Sequence, residues 1–113
     1  MTERISVVET PLYLARAARL MSEVERADVV DIISSDPEGG AVIQGLRGMR
    51  KVRIALQGRG KRGGGRVIYW FYSLNFPVVL LLAYGKNEKD DLSGDERKVL
   101  LRFTEGLIED FGG

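Results

Sequence analysis

Phe76 to Tyr84 reads FPVVLLLAY, nine consecutive residues without a charge. A helix that spans a bilayer needs roughly 18 apolar residues or more, so this run is too short to cross a membrane and reads as a buried strand. Val, Leu and Ala fill successive positions, so both faces of the strand are apolar, which predicts an internal place in a sheet. Pro77 suits its first position, where no ladder N–H is needed, and Gly85-Lys86-Asn87 ends it.

Two more strands precede it. In RKVRIAL, Val52, Ile54 and Leu56 alternate with Lys51, Arg53 and Ala55, giving one inward face and one basic outward face. RVIYWFY, from Arg66 to Tyr72, is a strand by its β-branched and aromatic content. Between them lies QGRGKRGGG, read as a flexible basic loop. Ile5 to Glu9 reads as a short first strand. Thr10 then caps a helix with Pro11 at its first position and Tyr13, Ala17 and Leu20 on one face. Ser22 and Glu25 make a capping box that opens a second helix, with Val29, Val30, Ile32 and Ile33 as its apolar content. Ser93 and Glu96 repeat the device before a last helix, whose expected core stripe is Val99, Leu100, Phe103, Leu107 and Phe111. The order is β-α-α-β-β-β-α. It predicts an α+β fold in which an antiparallel meander is packed by two amino-terminal helices and one carboxy-terminal helix, a single domain over residues 1–113.

Charge divides the chain. Between residues 39 and 87 stand Arg47, Arg50, Lys51, Arg53, Arg59, Lys61, Arg62, Arg66 and Lys86, with no Asp or Glu, although the whole chain carries 16 acids and a net charge of only +1. A basic middle between acidic flanks predicts a face for a polyanion. The chain has neither Cys nor His. Disulfides, thiolate metal sites and thiol nucleophiles are therefore excluded, as are the commonest metal ligand and the commonest general base at neutral pH. The amino-terminal MTERISVVETPLYLARAARL has early acids and no long apolar core, so no secretory signal is expected, and a cytoplasmic location is the expectation.

Gly58, Gly60 and Gly63 spell G-x-G-x-x-G. A dinucleotide site would need a helix after the glycines and an acid about 20 residues on. Here a strand follows, and the first acid is Glu88. A Walker loop fails as well, because Arg62 stands after Lys61 where Ser or Thr would hold magnesium. What remains is a set of cations, Arg53, Arg59, Lys61, Arg62, Arg66 and Lys86, that can converge on one face. Arginine offers paired donors to phosphate, and glycine lets backbone N–H groups approach an anion. Tyr69, Trp70, Phe71, Tyr72 and Tyr84 supply aromatic surface of the kind single strands stack on, although alternation must send some of them inward. No basic helix or helix-turn-helix pattern is present, which favours RNA over duplex DNA.

VIQGLRGMRKVRIALQGRGKRGGGRVIYWFY and VVLLLAYGKNEKDDLSGDERKVLLRF carry a resemblance that covers about residues 42–103. They are similar to the basic strand, glycine loop, R-x-I-Y-Y strand and Y-x-K-N-E-x-x-D-L segment of RelE/HigB-type toxins of bacterial type II toxin–antitoxin systems, and closest to the HigB branch. The resemblance implies a RelE-like fold and a ribosome-dependent endoribonuclease that cleaves mRNA in the decoding site, in contact with rRNA, and is neutralised by a cognate antitoxin protein. It implies metal-independent chemistry without a cofactor, in which a ribose 2′-OH attacks the adjacent phosphorus. The family's basic strand pair falls on Lys51 and Arg53, and the arginine after its glycine loop on Arg66. Arg53 and Arg66 are thus the expected phosphate clamp. Lys61, Tyr84 and Lys86 are candidates for proton transfer, because crowded cations lower the pKa of a neighbouring Lys or Tyr. Arg47, Arg50, Lys51, Arg59 and Arg62 are the expected RNA contacts. Two positions depart from the better-known RelE pattern. Asn87 stands where an arginine follows the lysine, and Leu92 near where a carboxy-terminal tyrosine is expected, so base and acid stay unassigned. The same fold also carries ParE-like inhibitors of DNA gyrase, and a plain RNA-binding module is a further alternative.

Overall fold

The uncharged run forms an inner strand. The computed structural model describes residues 5–56, 60–88 and 91–112, with side chains described for all of these but 60–63 and 111–112. Its elements are β1 (Val7–Glu9), α1 (Pro11–Leu20), α2 (Glu23–Ser35), β2 (Ala41–Val42), β3 (Met49–Leu56), β4 (Gly60–Trp70), β5 (Val78–Gly85) and α3 (Gly94–Gly112). All eight residues of β5 are buried, and the sheet order β1-β5-β4-β3-β2 puts a neighbour on each side of it.

The fold is α+β, but the sheet is not the antiparallel meander that the pattern predicts. It is mixed and five-stranded. β3, β4 and β5 do form an antiparallel meander, yet β1 joins parallel to β5, with Val7 opposite Val78 and Glu9 opposite Leu80. Two-residue β2 adds an outer rung on β3. Thr10 fastens the end of β1. Its hydroxyl donates to Leu80 O at 2.7 Å and accepts Tyr13 N–H at 3.2 Å, so one side chain caps α1 and ties the end of β1 to β5. That contact joins residues 70 apart in sequence, which no local pattern encodes.

Two cores flank the sheet. On one side Tyr13, Ala17, Val29 and Ile33 of α1 and α2 meet Ile54, Val67, Tyr69, Val78 and Leu80. On the other, Leu92 and Leu100 meet Met49, Ile68, Trp70, Leu82 and Tyr84. Both capping boxes form, with Ser22 Oγ accepting Glu25 N–H at 3.1 Å and Ser93 Oγ accepting Glu96 N–H at 3.1 Å. The stripe of α3 differs from expectation. Val99 and Phe103 are 59% and 44% exposed, whereas Leu100, Leu101, Thr104, Leu107 and Ile108 turn inward. Leu100, Thr104, Leu107 and Ile108 follow the i, i+4, i+7, i+8 spacing of a helix face, with Leu101 at its border, and Val99 and Phe103 lie one position off it. Phe111 lies outside the described side chains. Among the described residues no helix is long and apolar enough to cross a membrane.

The glycine-rich segment is largely strand. β4 begins at Gly60, opposite Leu56, after a register shift in β3 between Ile54 and Leu56. At Gly65 an added Cβ would stand 3.0 Å from Tyr84 O and 3.3 Å from Ile54 Cδ1. Glycine at position 65 therefore permits close strand packing.

Candidate functional site

β3 and β4 carry the site because their alternation puts like residues on one face. Arg53 pairs in register with Arg66, Lys51 with Ile68, and Arg66 in turn with Tyr84 of β5. Residues opposite each other in an antiparallel ladder share a face, so Lys51, Arg53, Arg66 and Tyr84 all lie on the side that α3 covers further along the sheet. Lys51, Arg53, Arg66 and Lys86 line one cleft of about 470 Å³, walled by Gly39, Gly40, Ala41 and Val52. Four cations from three consecutive chain segments thus meet at one place.

They differ in environment. Arg66 is only 7% exposed, and its Nη1 donates to Gly65 O at 3.0 Å. That leaves a guanidinium fixed at the cleft floor with donors to spare. Arg53 and Lys86 are exposed, and Lys51 is half-buried. Lys86 is placed by its backbone, whose N–H donates to Gly64 O at 3.0 Å. Like charges gathered on one cleft make a local positive potential that attracts an anion.

The wall of the cleft is held from behind. Tyr69 is fully buried on the opposite face of β4, and its hydroxyl donates to Pro37 O at 2.8 Å and accepts Gly40 N–H at 3.0 Å. Burial pushes this phenol above its ordinary range, against smaller opposing contributions from the Gly40 N–H and Arg50. Arg50 also faces that side. Its Nη1 donates to Glu38 O and Gly40 O, both at 2.9 Å. Arg50 thus anchors the segment that forms the wall, one strand position away from the face that Lys51 and Arg53 share.

Of the other residues singled out in the sequence, Tyr84 is wholly buried among the α3-side core, next to Arg66 across the ladder. Arg47 is exposed in the turn before β3, outside the cleft lining. Lys61 and Arg62 belong to β4, but their side chains lie outside the described residues, as does Arg59 entirely. The aromatic cluster is mainly core. Tyr69 and Trp70 are buried, and Tyr72, exposed and stacked on Trp70 at 5.5 Å, sits beyond the far end of β4.

Sequence reasoning overlooked one acid. Asp91 Oδ1 lies 3.7 Å from Lys51 Nζ and accepts Leu92 N–H at 2.8 Å. The Leu92 N–H, followed by the charges of Lys51 and Arg97, holds the Asp91 carboxyl below the usual carboxylate range despite some desolvation. It lies outside the acid-free segment, in the acidic EKDDLSGDE stretch, whose composition suits a helix entrance more than a site. No protein-family model matches the chain.

Proposed function

We propose that the chain is an RNA-cleaving toxin of the RelE/HigB kind, a ribosome-dependent mRNA endoribonuclease restrained by an antitoxin protein. The single observation that carries this reading is the convergence of Lys51, Arg53, Arg66 and Lys86 on one cleft. The resemblance in sequence supplies the reaction, and the cleft supplies groups suited to it.

In that reaction the ribose 2′ oxygen forms a bond to the adjacent phosphorus as its proton passes to a base. The bond from phosphorus to the 5′ oxygen breaks, and an acid protonates that oxygen. The products are a 2′,3′-cyclic phosphate and a 5′-OH. Negative charge grows on the non-bridging oxygens, and fixed guanidinium donors stabilise it because they need no reorganisation as it develops. Arg66, buried and already oriented, suits that task, with Arg53 as its partner across the ladder. Of the proton-transfer candidates Lys61, Tyr84 and Lys86, Lys86 lines the cleft. Lys51 contacts the flanking backbone.

A plain RNA-binding module is the second reading. The complete burial of Tyr84 favours it, since that hydroxyl cannot meet a substrate without movement of its surroundings. The two separate in a purified translation system programmed with a defined mRNA. Cleavage by the wild-type chain leaving a cyclic phosphate and a 5′-OH, and its loss in Arg66→Ala with ribosome association retained, supports the toxin reading. Association without any cut supports the binding module.

A further inference from the structure

The turn after β5 faces two clefts. Lys86 lines the cation cleft, while the next two residues, Asn87 and Glu88, line a second pocket of about 160 Å³ with Arg16, Arg19, Leu20 and Ala83. The segment from Thr10 to Ser22, which contains α1, has no acid. Arg16 and Arg19 are exposed and three residues apart, so they share one face of the helix. Among the described residues neither guanidinium enters a hydrogen bond or ion pair, in contrast to Arg26 of α2, which pairs with Glu9 at 3.3 Å. Arg19 lies in the last turn, where a cation complements the helix dipole. Arg16 lies a turn earlier, beyond the reach of that effect, and also lines a neighbouring cavity with Asp95 and Glu96. The one acid of the pocket is turned back on the chain, with Glu88 Oε1 accepting Gly85 N–H at 3.2 Å. Asn87 folds against the same glycine, where an added Cβ would stand 2.7 Å from its Oδ1.

We infer that Arg16 and Arg19 form a second phosphate-binding site, which receives the backbone of an RNA strand as it leaves the cation cleft past Lys86. The inference rests on the reading of the first cleft as an RNA site. Its chemistry is that of guanidinium donors on phosphate oxygens, with the Asn87 amide available as a further donor. The site deepens the reading by giving the strand a direction, from Arg53 and Arg66 over the turn to α1.

The test is RNA binding by the whole chain and by Arg16→Gln/Arg19→Gln, measured across a salt series with two ligands, an RNA of about 12 nucleotides, within the span such grooves cover, and a dinucleotide. Each phosphate contact on a single strand contributes about 0.7 to the slope of log affinity against log salt. The variant should lose about 1.4 of that slope on the longer RNA and none on the dinucleotide, which fills the first cleft alone. Arg16→Lys/Arg19→Lys, which keeps both charges, should restore it. An unchanged slope on the longer RNA, or an equal loss on the dinucleotide, overturns the second site. If the wild-type chain binds neither RNA in a salt-dependent way, the RNA reading itself is refuted, a different failure from the loss of this site alone.

Discussion

Arg53 on β3 and Arg66 on β4 stand directly opposite each other in the antiparallel ladder. Like charges in that relation cost about 0.2–1 kcal/mol, and a fold selected for stability alone would place a β-branched or oppositely charged residue at one of them. On the proposed reading, an RNA phosphate between the two guanidinium groups would relieve that repulsion. Arg53→Thr should therefore raise the urea midpoint of unfolding by an amount equivalent to a few tenths to about 1 kcal/mol while weakening RNA binding. A variant less stable than wild type would show that the pair is not in net repulsion.

The wall of the cleft depends on the Tyr69 hydroxyl, which serves Pro37 O and Gly40 N–H together. Tyr69→Phe leaves both groups without that partner and should cost about 1–3 kcal/mol. Gly40→Ala would place a methyl 2.7 Å from the same hydroxyl and 3.1 Å from Lys51 O, and should cost about as much by forcing them apart. Chemical denaturation reads both losses. RNA affinity should fall with them, because Gly39 and Gly40 line the cleft.

Asp91 places a carboxylate beside Lys51, where an RNA phosphate would compete with it. With the Asp91 side chain 62% exposed, the pair contributes no more than about 1 kcal/mol to stability. Asp91→Asn keeps an oxygen for the Leu92 N–H and should tighten RNA binding several-fold with little change in unfolding. The pH dependence follows from the direction of its shift. The folded value lies below the ordinary 3.8, so the small stabilisation is present above that value and disappears as pH falls through the folded one. Acid titration of wild type against Asp91→Asn, followed by unfolding midpoint, checks this.

Tyr13 gives the opposite sign. Burial, then the Glu9 charge, pushes its hydroxyl up to about 12 from 10.0, and the buried oxygen has no hydrogen-bond partner among the described residues. The neutral form is the one the fold accepts. Stability should be intact below pH 10 and lost as pH rises towards 12, by about 2–3 kcal/mol in all. Tyr13→Phe should flatten that alkaline loss while leaving neutral stability unchanged or higher. Unfolding curves between pH 9 and about 12 measure it.

What the sequence discloses follows the range of the forces involved. The caps at Thr10, Ser22 and Ser93 are local hydrogen bonds, legible from residues three apart. The inner position of β5 is legible because a strand apolar on both faces has few other places to go. The shared face of Lys51 and Arg53 follows from the two-residue period of β3. The parallel pairing of β1 is not legible, since it joins residues such as Glu9 and Leu80 that are far apart in sequence. Nor is the strand character of the glycine run, which depends on room that only Ile54 and the Tyr84 carbonyl define. Asp91 escaped notice for a related reason: it approaches Lys51 through the fold, 40 positions away, from a segment whose acids also suit a helix start.

The central claim is that the cleft of Arg53, Arg66 and Lys86 cuts RNA during translation. Mapping mRNA ends after induction of the chain in growing bacteria tests it most directly. The account predicts new 5′-OH ends inside translated codons, present with the wild-type chain and absent with Arg66→Ala. Growth arrest with intact messages, or DNA damage in their place, would contradict it.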